Sequence, residues 1–118
     1  MASTTIVDNY STGKDTEITL KITIQSNQLA KSSVRIEDKP VGAGNFDDSF
    51  EVVLGKGNVL LGSTLYVDTT EADINPDADM VSFTIELTGG PHPFHKMLSQ
   101  NIAPGTSVLY NAEITFIN

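Results

Sequence analysis

The chain has 118 residues, 39% of them hydrophobic, with no cysteine and a formal net charge of −8. This length suits a single core, and we predict one domain over residues 1–118. Without cysteine, the fold has no disulfide, no thiolate metal site and no cysteine nucleophile. The acidic balance makes nucleic acid a poor partner, because polyanions are bound by clustered cations.

The sequence also bears on membrane association. It contains no apolar run of about 18 residues, and its start, MASTTIVDNY, lacks the basic and apolar regions of a secretory signal. We therefore expect a soluble protein with no transmembrane segment and no signal peptide in this chain. The compartment is unknown.

Strands are predicted wherever apolar and polar residues alternate with a period of two. In chain order, the predicted strands cover residues 4–10, 17–24, 33–37, 46–54, 59–67, 81–87, 94–102 and 110–116. The alternation is clearest in Glu17–Ile24, where Ile18, Leu20, Ile22 and Ile24 share one face. Residues 4–10 and 94–102 fit either a strand or an edge segment.

No segment keeps apolar residues at helical spacing over several turns, and Gly, Pro, Asn and Asp interrupt the chain at hairpin intervals. One-sided alternation is typical of antiparallel sheets that each cover one side of a core. We predict an all-β fold: a single antiparallel β-sandwich of seven or eight strands, with Ig-like or C2-like/jelly-roll-like topology.

Acidic residues concentrate in segment 68–79, DTTEADINPDAD, which we predict to be a loop. If successive strands are antiparallel, alternate connections share an end of the sandwich. Counting from the first, this rule groups Asp15 and Asp38 with segment 68–79, and groups Lys56 and His92 at the opposite end. The sequence thus predicts an electrically polar molecule, an arrangement that allows head-to-tail contact between copies.

Part of this segment has the spacing of a cation site. Oxygen ligands recur at every second position, a spacing that favours calcium, which binds six to eight oxygens, and the candidate metal ligands are Asp73, Asn75, Asp77 and Asp79. The spacing resembles the opening of an EF-hand loop, but Ala78 replaces the required glycine and Thr84 replaces the bidentate glutamate. A true EF-hand is excluded. The alternatives are a calcium site completed by other loops and a solvated acidic cap.

Three further residues are candidates for binding an organic ligand: Tyr66, Asp68 and Glu71. Tyr66 is the one tyrosine whose position in a predicted strand directs it away from the core. With a single outward ring, binding that stacks several sugars on aromatic side chains is disfavoured. A lectin that uses carboxylates and amides stays open.

These features predict a non-catalytic binding or assembly module that uses the acidic loop end of a β-sandwich. The expected partners are a protein or a second copy, with carbohydrate as another candidate. The alternative is a calcium-dependent module that binds a glycan or a lipid. A hydrolase with an unrecognised site ranks third, because no nucleophile motif such as G-x-S-x-G occurs. We expect no enzymatic activity, and no cofactor unless calcium binds.

Overall fold

A computed structural model describes residues 2–13, 15–24, 29–72, 80–103 and 105–118. Within these ranges the chain is nearly all β, with nine strands and one short helix, α1 (Gly57–Leu60). The strands are β1 (Ala2–Ser11), β2 (Glu17–Ile24), β3 (Leu29–Ile36), β4 (Lys39–Asp47), β5 (Phe50–Lys56), β6 (Thr64–Ala72), β7 (Met80–Thr88), β8 (Phe94–Asn101) and β9 (Ser107–Ile117).

The strands form two sheets. One has five strands in the order β1-β9-β6-β3-β4, and the other has four in the order β5-β2-β7-β8. Neighbouring strands are antiparallel, with one exception: β1 pairs with β9 in parallel. The prediction of purely antiparallel sheets is therefore wrong at this edge.

One cluster of buried apolar side chains draws on both sheets. The period-two pattern accounts for it, because each strand turns alternate residues toward the same side. Its largest fully buried aromatic side chains are Tyr110, Phe83 and Phe116. The rings of Phe83 and Tyr110 stack across the two sheets with centroids 5.2 Å apart. We call the face of each sheet that contributes to this cluster its inner face.

The strand missing from the prediction is β4. The predicted strand 46–54 is in fact divided, because the chain turns at Asp48 and Ser49. Asp48 has a φ of 54°, which ends a strand. Pro40 and two glycines at positive φ, Gly42 and Gly44, hide β4 from a pattern of alternation.

This additional strand changes which connections share an end. The register places Ile36, Lys39 and Thr64 together at one end of the five-stranded sheet. Leu29, Asp47 and Ala72 lie at the other end. The connections that contain Asp15 and Asp38 are therefore opposite the one that follows Ala72, and the predicted grouping of acidic connections is wrong. Because β4 adds one strand to the predicted order, every later connection lies at the end opposite to the predicted one.

No helix among the described residues is long and apolar enough to cross a membrane.

Candidate functional site

Polar side chains form rows across the outer face of the five-stranded sheet. Ser33 of β3 is in register with Asn45 of β4 on one side and with Asp68 of β6 on the other. Asp68 is in turn in register with Asn111 of β9. Neighbouring strands lie about 4.8 Å apart, so this row of four residues extends over roughly 14 Å.

A groove of about 420 Å³ opens over part of this row. Its lining residues come from β3, β4 and β6: Lys31, Ser32, Ser33, Asn45, Phe46, Asp47, Asp68 and Thr70. The outward-facing lining residues supply hydroxyl, amide, amino and carboxylate groups, whereas Ser32 is buried and Phe46 packs partly against the core. The groove therefore offers both donors and acceptors of hydrogen bonds.

The groove exists because β4 departs from regular pairing. The register of β3 and β4 shifts between Ser33 and Arg35, so that Ser33 is opposite Asn45 whereas Arg35 is opposite Pro40. Four residues of β4 thus lie against the single intervening residue of β3, which bends the edge strand. A Cβ atom on Gly44 would lie 2.9 Å from the Cβ of Pro40, so this bend leaves little room for a side chain.

Tyr66 lies on the outer face, as predicted, two residues before Asp68. The guanidinium carbon of Arg35 is 3.9 Å from the centroid of the Tyr66 ring, which is a cation–π contact. The same guanidinium donates a hydrogen bond of 2.5 Å to the carbonyl oxygen of Glu37. The guanidinium thus covers one face of Tyr66 and closes that face to a sugar ring.

Glu71 lies on the inner face of β6 and not on the outer face with Tyr66 and Asp68. Strand β6 continues to Ala72 instead of ending before the acidic segment, because β3 and β9 pair with it on both sides to that point. The side chain of Glu71 faces inward and is 0% exposed. The structure therefore brings Tyr66 and Asp68 together on one face and separates Glu71 from them.

The Glu71 carboxylate has an unusual environment. Neither oxygen has a hydrogen-bond partner within the described part of the chain. Burial raises the pKa of Glu71 from 4.5 to about 7, because ionisation is unfavourable away from water. The backbone of Ser82 lowers this pKa by a smaller amount.

Tyr110 is close enough to Glu71 for the carboxylate charge to affect the pKa of its hydroxyl. Burial, and then the charge of Glu71, raises the pKa of the Tyr110 hydroxyl to about 12. The same hydroxyl donates a 3.5 Å hydrogen bond to the carbonyl oxygen of Val81. Ser32 and Thr69 add a buried hydroxyl pair on the inner face, with their oxygens 2.7 Å apart. This end of the core is therefore polar.

The predicted calcium ligands, Asp73, Asn75, Asp77 and Asp79, lie outside the described residues. Among the described residues, no group of three or more His, Asp or Glu side chains is arranged to hold a metal ion. The calcium site stays a prediction.

Sequence reasoning identified Asp68 but missed the other residues that line the groove. Asn45 and Asp47 were missed because β4 was not recognised as a strand. Lys31 and Ser33 were missed because their position in the groove depends on the register of β3 with its neighbouring strands, which the sequence alone does not show. The Gly-x-Gly spacing of Gly42 and Gly44, beside Pro40, was the available signal of an irregular edge strand.

No known protein family, curated protein or solved structure matches this chain.

Proposed function

We propose that this protein is a non-catalytic binding module and that its ligand lies in the groove across β3, β4 and β6. The groove carries this proposal, because it is concave and lined by polar side chains from three strands. We also propose that the two sheets form a β-sandwich of the Ig-like or C2-like/jelly-roll-like kind, which the shared core supports.

The chemistry of the lining favours a ligand rich in hydroxyl groups, such as a short oligosaccharide. Asp68 and Asn45 accept hydrogen bonds, while Lys31 and the Asn45 amide donate them. Phe46 stacks on Phe50 with centroids 4.2 Å apart, so one face of its ring is already covered. Recognition would therefore rely on hydrogen bonds more than on stacking.

Binding to a panel of immobilised oligosaccharides tests the proposal. We expect Asp68→Asn to weaken binding of any ligand found by tenfold or more, since a hydrogen bond to a charged group contributes about 1.5–3 kcal/mol. Glu113→Gln is the matched control. It removes one carboxylate from the same sheet, on exposed β9 surface outside the groove.

Two results would contradict the proposal: no oligosaccharide binds, or both variants lose affinity equally. Repeating the assay with calcium and with a chelator distinguishes this proposal from the calcium-dependent alternative. A chelator leaves metal-independent binding unchanged but abolishes binding that requires calcium. A ligand that binds the native state also raises the thermal midpoint of unfolding, which gives a second readout.

A further inference from the structure

Among the described residues, strand β1 leaves one edge of the five-stranded sheet open. It is the last strand in the sheet order, and β9 is its one partner within that part of the chain. All ten of its residues have a partner in β9, with no shift of register. Alternate residues of such a strand turn their backbone N–H and C=O groups to the free side, so about five residues present unpaired groups there.

The other three edge strands each have a feature that hinders pairing with another chain. In β4, Pro40 lacks an N–H group and the register is irregular. In β8, Lys96 is opposite the buried Ile85 and so places a charge on the inner side. In β5, Glu51 carries a charge and the register with β2 shifts near Gly55. Inward charges, prolines and bulges are the devices by which natural sheets protect their edges.

Residues 2–7 of β1 have none of these features. The segment Ala-Ser-Thr-Thr-Ile-Val contains no charge, proline, glycine or bulge. Val7 is 73% exposed, although it is a strongly apolar residue. The first charged residue is Asp8, at the end of the segment. Such a stretch has the composition of a strand that pairs readily.

We propose that β1 pairs in an antiparallel manner with β1 of a second copy, so that two five-stranded sheets join across a two-fold axis. With Thr5 opposite Thr5, Ser3 is opposite Val7 and Thr4 is opposite Ile6. These are pairs of small and β-branched residues, which are favourable across strands.

The uncharged, β-branched composition of this segment, which pairs with itself without conflict, favours a second copy as the occupant of this edge. In this register Asp8 is opposite Ala2, so the two Asp8 residues lie about six residues, or roughly 20 Å, apart along the strands. Between these positions, residues 3–7 of both copies are uncharged, so self-pairing brings no like charges into contact. Each copy carries a formal charge of −8, however, and the copies repel one another at longer range. Salt should therefore strengthen the dimer by screening this repulsion.

Sedimentation at increasing protein concentration tests this proposal. Between about 0.01 and 1 M salt the Debye length falls from roughly 30 to 3 Å, and we expect the dimer fraction to rise. Thr5→Lys should raise the dissociation constant at least tenfold, because it places two ammonium groups opposite each other. Val53→Lys is the matched control, since it makes the same charge change at a 51% exposed position of the β5 edge.

The absence of cysteine allows a second measurement. Directly opposite residues of antiparallel strands have Cβ atoms about 4.5–5.5 Å apart, so Thr5→Cys should form a disulfide-linked dimer on mild oxidation. Val53→Cys should not. Thermal unfolding of each variant shows whether it is folded.

The proposal would be overturned if the wild-type protein stayed monomeric at every protein and salt concentration. The occupant of this edge would then be an extended segment of another protein. Equal effects at Thr5 and Val53 would also overturn the proposal. Neither result bears on the groove, so the two proposals fail independently.

Discussion

Glu71 carries a carboxylate into the protein interior, where water cannot solvate its ionised form. The side chain is fully buried, and burial raises its pKa to about 7. The unfolded chain exposes the same group near the ordinary value of 4.5. Because the folded state holds the proton more tightly, Glu71 links stability to pH.

The sign of this linkage follows from the two values. At pH values below 4.5 both states are protonated and Glu71 carries no penalty. As the pH rises from 4.5 to about 7, the unfolded state loses the proton first, so the free energy of unfolding falls. At about 1.4 kcal/mol per pH unit, the complete shift corresponds to about 3 kcal/mol, and the penalty is constant above that range.

We expect Glu71→Gln to remove this component of the pH dependence. Relative to wild type, the variant should gain about 3 kcal/mol in free energy of unfolding between pH 4.5 and pH 8. Urea unfolding at a series of pH values measures the change. Glu51→Gln, which alters an exposed carboxylate on β5, is the control and should keep the wild-type profile. Parallel profiles for Glu71→Gln and wild type would show that Glu71 is not a buried, proton-linked group.

At the scale of elements, the connection between β7 and β8 depends on two glycines. Gly89 has a φ of 108°, which favours glycine strongly. A Cβ atom at Gly89 would overlap the backbone carbonyl of Glu17. The next residue, Gly90, donates a backbone hydrogen bond of 2.9 Å to the hydroxyl of Tyr10. This connection therefore touches both β1 and the start of β2.

Gly89→Ala should destabilise the protein by about 3 kcal/mol or more, because it adds a steric overlap with backbone to an unfavourable φ. Gly62→Ala isolates the conformational part of this cost. Gly62 has a φ of 87°, but no heavy atom lies within 4 Å of the position that a Cβ would occupy. We expect about 1 kcal/mol for that variant. Chemical denaturation of both proteins gives the comparison, and equal losses would refute the overlap.

The β-strand elements also show what local pattern can predict. Strand β2 was predicted with its observed limits, since Ile18, Leu20 and Ile22 are buried on one face. Strand β6 was predicted to end at Val67 but extends to Ala72, because pairing on both sides stabilises polar residues in a strand. Strand β4 was missed, since its irregular backbone removes the alternation on which recognition depends.

At the scale of the whole molecule, the two ends of the chain meet in the β1–β9 pair. Ile6 is in register with Ala112, almost the full length of the chain away. Closing a loop of this size costs conformational entropy that local hairpins do not incur. We infer that β1 docks late in folding, after the hairpin formed by β7 and β8.

Two matched substitutions test this order of events. Ile6→Ala and Ile85→Ala each remove the same atoms from a buried isoleucine, and each should cost about 2–5 kcal/mol. Ile6→Ala should mainly accelerate unfolding, whereas Ile85→Ala should also slow refolding. Stopped-flow fluorescence across a denaturant series measures both rates. If Ile6→Ala slowed refolding as much as Ile85→Ala, late docking of β1 would be wrong.

The sequence by itself determined the all-β class, the limits and buried face of β2, and the outward position of Tyr66. These follow from alternation with a period of two, which is a local property of the chain. Only the tertiary structure decided that β1 pairs in parallel with β9, that Glu71 is buried and that Ser33, Asn45 and Asp68 share a row. Each of these depends on which strands become neighbours and in what register. Strand neighbours and register are set by packing between residues far apart in the chain, which a local pattern does not encode.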